Sequence, residues 1–210
     1  MDTQTYVSRN RSSVSNFLFG FTKRIFDVSV SLVLLPGLVG AIIVLLVLNP
    51  FLNRGSIFFV QSRMGRDCKS FKAIKFRSMT AAEHITRSAD DPLEVDRITP
   101  LGHFLRKSRL DELPQILNVL MGHMSLIGPR PDYLDHAVEY MSSIPGYRER
   151  HVVRPGISGL AQTELGYIEG TDATRRKVKA DLYYITHRSF ALEAWIFWRT
   201  LSVVALRAGA

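Results

Sequence analysis

The hydrophobic pattern separates one long apolar run from a mixed remainder. Val28 to Leu48 reads VSVSLVLLPGLVGAIIVLLVL, with no charge and only two serines. At about 1.5 Å per residue, a helix of this length reaches about 30 Å, the thickness of a bilayer's hydrocarbon core. It does not fit a cleavable signal peptide, because the polar lead is too long and no small-x-small site follows. A soluble domain this small could hardly surround such a helix on every side, so a membrane segment is expected. Pro36-Gly37 interrupts the run, and an internal proline removes a backbone hydrogen bond.

Beyond it, Ser56–Gln61 and Ser70–Phe76 are β-prone runs flanking the turn-rich Met64-Gly65-Arg66-Asp67, which predicts a hairpin. Residues 80–98 are polar and read as helix then loop. Thr99-Pro100 is an N-cap with proline at N1, opening a helix through Leu105. A second helix is expected from Asp111 to a stop at Gly122, and another over Asp132–Ser143. Ile127–Pro131 and Arg154–Gly159 read as rigid Pro/Gly loops. Thr174–Val204 reads as helical, with Trp195 and Trp198 suited to a core or to an interfacial amphipathic helix. The pattern predicts an α-rich α+β chain. Residues 1–52 form an arm and membrane helix, and 53–210 a compact cytosolic unit.

Composition changes this picture little, and charge changes it more. With 46% hydrophobic and 22% charged residues, the chain is neither disordered nor of low complexity. A single cysteine, Cys68, excludes an internal disulfide framework, and six scattered histidines make a poor zinc set. Of the net charge of +8, residues 1–24 hold a surplus of three and 49–79 a surplus of six. Asp27 subtracts one, and 80–210 balances, leaving no basic face for nucleic acid. Both flanks of the apolar run are therefore basic, whereas a spanning helix wants one basic flank. A helix–break–helix at Pro36-Gly37 that enters and leaves on the cytoplasmic face satisfies both flanks. Anionic headgroups would then attract both basic stretches.

The candidate chemistry lies in Phe104-Leu105-Arg106-Lys107-Ser108-Arg109-Leu110-Asp111-Glu112-Leu113-Pro114-Gln115. Two adjacent carboxylates follow three cations where a helix is expected to begin. Asp111 could simply be an N-cap, with Glu112 complementing the macrodipole. Alternatively, cations at a helix start gather an anion, a carboxylate can accept a phosphoryl group, and its neighbour can hold Mg2+.

Across KRIFDVSVSLVLLP (23–36), SIFFVQSRMG (56–65), FKAIKFRSM (71–79), FLRKSRLDELPQILNVLMGHMSLIGPRP (104–131), RPGISGLAQ (154–162) and DLYYI (181–185), the chain resembles the bacterial sugar transferases. These are monotopic polyprenyl-phosphate phosphoglycosyl transferases that begin exopolysaccharide, O-antigen or glycoprotein glycan assembly. The resemblance implies transfer of a sugar 1-phosphate from a UDP-sugar to undecaprenyl phosphate at the cytoplasmic face of the inner membrane, with release of UMP. Asp111 matches the family's nucleophile, and Glu112 its partner and Mg2+ ligand. Lys75, Arg106, Arg130 and Asp181 match positions in or around the active site, with Arg77 and Arg154 expected nearby. Downstream glycosyltransferases are possible partners. The family's helix break usually carries Ser-Pro. Here it is Leu35-Pro36, with Ser31 one turn earlier as a substitute donor to the freed carbonyl. The chain is expected to be the minimal form, without the extra amino-terminal membrane bundle of larger relatives. Two rivals remain at this stage. One is a non-catalytic membrane adaptor binding anionic lipid, and the other a phosphatase working through an aspartyl phosphate.

Overall fold

The computed structural model of the chain describes residues 13–80, 94–165 and 171–205. Helix α1 runs from Ser13 to Leu52 and contains Pro36 and Pro50. It continues through Pro36-Gly37, where a break between two helices was expected. A membrane helix tolerates proline where other groups serve the freed carbonyl. Ser31 does not serve it: its hydroxyl is buried and has no hydrogen-bond partner among the described residues. In the most apolar part of α1 the mean hydropathy reaches 2.9, and only 17% of that stretch is buried.

Burial along α1 recurs at Asp27, Ser31, Leu38, Leu45 and Asn49, and at Asn53 just past its end, steps of four and seven that keep to one face. That face lies against the rest of the chain from end to end. Arg24 donates to the Val119 and Leu120 carbonyls at 2.7 and 3.1 Å. Asp27 accepts from Ser125 Oγ at 2.7 Å and from the Leu126 N–H at 3.2 Å. Further on, Leu38 and Leu45 join Phe76, Leu101, Leu105 and Ile116 in one apolar cluster. At the far end, Asn49 donates to the Gly55 carbonyl at 2.7 Å and Asn53 to the Arg77 carbonyl at 2.8 Å. The other faces expose Leu32, Val33, Val39, Ile43, Val47 and Phe51.

Strands β1 (Phe58–Met64) and β2 (Ser70–Phe76) form the expected antiparallel hairpin, with β1 starting two residues later than its β-prone run. Phe59 faces Lys75, Gln61 faces Ala73 and Arg63 faces Phe71. Helix α2 (Pro100–Lys107) opens as predicted, with Thr99 Oγ1 accepting from the Gly102 N–H at 3.0 Å. Helix α3 covers Gln115–Leu120 and α4 Leu134–Ser143. Asn118 ties α3 to β2: its Oδ1 accepts from the Ile74 N–H at 3.0 Å and its Nδ2 donates to the Lys72 carbonyl at 2.7 Å. Most of the helix-then-loop expected over 80–98 lies outside the described residues.

The two Pro/Gly loops are more ordered than their composition suggests. They supply strands β3 (Ser125–Ile127) and β4 (Gly156–Ser158), paired in parallel. The pairing needs bare backbone: a Cβ on Gly156 would fall 2.1 Å from the Gly128 nitrogen. Helix α5 (Leu160–Leu165) follows. The expected C-terminal helix is two, α6 (Thr171–Thr186) and α7 (Phe190–Ala205). Helix α7 runs parallel beside the start of α1. Phe190 lies against Phe19 (ring centroids 5.0 Å apart), Glu193 against Lys23 (2.6 Å) and Phe197 against Phe26 (6.2 Å). Trp195 and Trp198 are 42% and 69% exposed, which excludes the core reading for both.

Candidate active site

The carboxylate pair sits in a single 3-10 turn, Leu110–Glu112, between α2 and α3. Arg109 precedes it at φ 59°, a left-handed conformation costing an L-residue on the order of 1 kcal/mol. This reversal turns the chain so that Asp111 and Glu112 both point inward, 8% and 6% exposed. Asp111 is not a helix cap: the turn's capping position is Arg109, and no side chain caps it. Pro114 falls at the start of α3, where its missing N–H is harmless.

The two neighbours have opposite surroundings. Glu112 Oε1 accepts from Lys75 Nζ at 2.7 Å and from Arg130 Nη2, and its Oε2 accepts from Arg130 Nη1 at 3.0 Å. Burial would raise the Glu112 carboxyl, but Arg130 and Lys75 overturn that and hold it well below the usual carboxylate range. The Asp111 carboxylate has no hydrogen-bond partner among the described residues. Burial first, and Glu112 second, raise its pKa against the pull of Lys75, Arg130 and Arg106. Burial brings the Lys75 ammonium down to about 8, opposed by Glu112.

Of the residues singled out from the sequence, Lys75, Arg106 and Arg130 therefore gather around Asp111 and Glu112. Three others are placed elsewhere. Arg77 donates to the Asn53 carbonyl and fills the space beside Gly55, bracing the end of α1. Arg154 Nε donates to the Gly122 carbonyl at 3.0 Å, beyond the far end of α3. Asp181 is 1% exposed and accepts from Arg150 Nε at 2.8 Å. Arg150, itself 1% exposed, also donates to Asp132 and, at 2.7 Å, to the backbone carbonyl of Arg130. Asp181 thus bears on the site through Arg150 and the backbone of Arg130.

Arg150, Asp132 and Lys177 were not singled out from the sequence. Lys177 and Arg150 hold Asp132 well below the usual range although burial would raise it. Arg63 and Gln115 were also missed, although both lie inside matched stretches. With Lys75, Arg130, Ala73 and Pro131 they line a cleft beside the carboxylate pair. A larger hollow, over Met141–Glu149, involves none of these groups.

Mg2+ takes hard oxygen ligands, and the carboxylate pair offers them. Among the described residues no three His, Cys, Asp or Glu side chains gather as a metal site. Mg2+ needs only one or two carboxylates when substrate phosphates supply the remaining oxygens. Glu112, kept ionised, meets that requirement through Oε2, which accepts a single bond, from Arg130 Nη1, among those between described residues. The pair fits a metal that shares Glu112 with a phosphate ligand.

Two buried adjacent carboxylates of unlike environment are thus faced by three cations. The chain belongs to the bacterial sugar transferase family, whose model matches residues 18–207. It is 38% identical, over 92% of its length, to the UDP-N-acetylgalactosamine-undecaprenyl-phosphate N-acetylgalactosaminephosphotransferase of Aeromonas hydrophila. It is 37% identical, over 88%, to the UDP-glucose:undecaprenyl-phosphate glucose-1-phosphate transferase of Klebsiella pneumoniae. The chain spans 46% and 38% of those two proteins. It is also 36% identical, over 85%, to the exopolysaccharide production protein PSS of Rhizobium leguminosarum bv. phaseoli and spans 92% of that protein.

Proposed function

We propose that this chain moves a sugar 1-phosphate from a UDP-sugar to undecaprenyl phosphate and releases UMP, as a membrane step in exopolysaccharide or related glycan synthesis. The observation that carries the reading is the unlike pair: Glu112 locked between Lys75 and Arg130, and Asp111 unbonded beside the same cations. An Asp111 oxygen attacks the phosphorus bearing the sugar, and the P–O bond to UMP breaks. The phosphate of undecaprenyl phosphate then attacks that phosphorus, the acyl-phosphate bond breaks, and the Asp111 carboxylate is restored. Lys75, Arg106 and Arg130 neutralise the two anionic substrates, which positioning-dominated phosphoryl transfer chiefly requires. Glu112 holds Lys75 and Arg130 in place and would share Mg2+ with the diphosphate. When bound, the metal neutralises charge on the phosphate oxygens.

The anchor is read as re-entrant from the cytoplasmic face of the inner membrane. Arg24 and Asn53, near opposite ends of α1, both hydrogen-bond to the same folded unit, which supports placing both ends on one side. The exposed Trp195 and Trp198 of α7, beside the first turns of α1, suit an interfacial helix. An assay of UMP release across a panel of UDP-sugars with undecaprenyl phosphate, in nanodiscs, tests the reading. Turnover with at least one sugar is expected, and it should be lost in Glu112→Gln. No UMP from any donor would favour a membrane adaptor.

A further inference from the structure

The loop that carries Arg130 is held from outside itself. Pro129 and Pro131 have no N–H to give to a neighbouring strand, so the segment depends on donors that reach its carbonyls. All four carbonyls from 129 to 132 find one. The Gly156 N–H donates to Pro129 at 3.0 Å and the Met64 N–H to Asp132 at 3.1 Å. Arg63 Nη1 donates to Pro131 at 2.7 Å, and Arg150 Nη2 to Arg130 itself at 2.7 Å. Gly156 belongs to β4, and Arg63 and Met64 to β1, so three of these donors are fixed by strand pairing. Arg150 stands apart from both sheets, in the 3-10 turn Glu149–Val152, and reaches the loop by a long side chain.

A closed set of charges fixes that side chain. Arg150 Nε donates to Asp181 Oδ2 at 2.8 Å, Nη2 lies 2.7 Å from the same oxygen, and Nη1 donates to Asp132 Oδ2. Lys177, one turn before Asp181 on α6, donates to the other Asp132 oxygen, and Tyr147 Oη donates to Asp132 at 2.8 Å. Two cations thus balance two carboxylates, with Arg150 and Asp181 each 1% exposed. Burying such a set gains little stability over apolar side chains of similar volume, because desolvation cancels most of the attraction. Its clear product is geometric: a planar fork gripped by two carboxylates aims an N–H at one backbone oxygen. That oxygen belongs to the residue whose Nη1 meets Glu112 Oε2 at 3.0 Å.

Resting on the transfer reading, we propose that Arg150 is a positioning residue for the reaction: through the Arg130 carbonyl it sets the Arg130 guanidinium against Glu112 in the geometry that transfer requires. Asp181, Asp132 and Lys177 hold Arg150 in turn. Arg150 touches no reacting atom. An error of about 1 Å at a group such as Arg130 costs about a hundredfold in rate, so a buried set outside the site governs the chemistry inside it.

The test uses two replacements, so that one carries it where the other fails to fold. Arg150→Lys keeps the charge and loses the fork. Arg150→Met with Asp181→Asn removes one charge of each sign and leaves Asp132 its bonds to Lys177 and Tyr147. Tyr147→Phe is the control: it removes one bond from the same set but keeps the ring whose centroid lies 5.2 Å from Arg150 Cζ, and the bond to the Arg130 carbonyl. All are compared with the full wild-type chain in nanodiscs, with thermal unfolding as the check on folding. In the UMP burst from a UDP-sugar alone, both Arg150 variants should be slower by about tenfold to a hundredfold. Tyr147→Phe should stay near the wild-type rate even where it melts lower. In an Arg130→Gln background the Arg150 replacements should add less than about twofold, because residues that act through one another are not additive. Hydrogen exchange over residues 124–134 needs no turnover. It should quicken in the Arg150 variants and not in Tyr147→Phe, with exchange in the hairpin unchanged.

Wild-type burst rates in the Arg150 variants would overturn the positioning role and leave the transfer reading intact. So would losses that multiply in full with Arg130→Gln, or a loss in Tyr147→Phe as large as theirs. If the wild type released no UMP from any donor, the transfer reading would fail, and exchange alone would decide whether Arg150 holds the Arg130 loop. Unchanged exchange over 124–134 would overturn the proposal in either case.

Discussion

At the scale of single residues, the site is a problem of two adjacent carboxylates given different tasks. Glu112 is held well below the usual carboxylate range by Arg130 and Lys75 against its burial, and Asp111 is left unbonded with its carboxyl raised by burial and by Glu112. Activity should therefore follow a bell. On the acid side it falls as Asp111 is protonated, at a higher pH than an ordinary aspartate would give. On the alkaline side it falls as Lys75 loses its proton near pH 8. Lys75→Arg should keep measurable activity and move the alkaline limb upward, because a guanidinium stays charged. A pH–rate profile of the two proteins checks this. For stability the sign differs. Lys75 is depressed in the folded state, so the unfolded chain binds more protons between about pH 8 and 10.5. This residue's contribution to stability therefore rises with pH across that window. Losing activity while gaining stability over the same range would separate the two effects.

Among the elements, α1 and α7 are joined by polar groups inside an apolar setting. Lys23 Nζ lies 2.6 Å from Glu193 and 3.8 Å from Asp27, and Tyr184 donates to Glu193. Lys23→Glu should lower stability by on the order of 2 kcal/mol, since it leaves carboxylates facing one another in a mostly buried place. Adding Glu193→Lys should recover part of that loss, measured by thermal unfolding in nanodiscs. These contacts also show where sequence reading ends. A run of apolar residues, a Thr-Pro start and a Pro/Gly stop are local signals, so the apolar helix, the hairpin and α2 were legible, but not the continuity of α1 through Pro36-Gly37. Strands β3 and β4 were not, because three residues of mixed character gain their strand geometry only when Gly128 and Gly156 let two loops touch. Arg150 gave no signal, since pairing with Asp181 and Asp132 is settled by tertiary packing. Lys23 and Arg24 look like headgroup ligands in the sequence, but the protein itself occupies them. Arg54, Arg66, Lys69 and Lys72 remain exposed.

For the whole molecule, the question is how a helix long enough to cross a bilayer can pack along its whole length on a folded unit. The re-entrant reading answers it by keeping both ends of α1 on the cytoplasmic face, with the unit sunk against the membrane where lipid-borne and soluble phosphates meet. Cysteines placed near residue 10 and at Arg66 should both react only with reagent added from the cytoplasm. Labelling of residue 10 from the periplasm would establish a spanning helix. Pro36→Ala, which restores a hydrogen bond, should shift the population toward spanning.

The most direct measurement is a single-turnover reaction with UDP-sugar alone. About one UMP per protein should be released before any lipid acceptor is added, and a sugar phosphate should remain on the peptide containing Asp111. The adduct should be cleaved by hydroxylamine, and Asp111→Asn, similar in size but without the charge, should abolish both burst and adduct. Wild-type turnover in Asp111→Asn would contradict the covalent account, as would UMP that appears only once undecaprenyl phosphate is present.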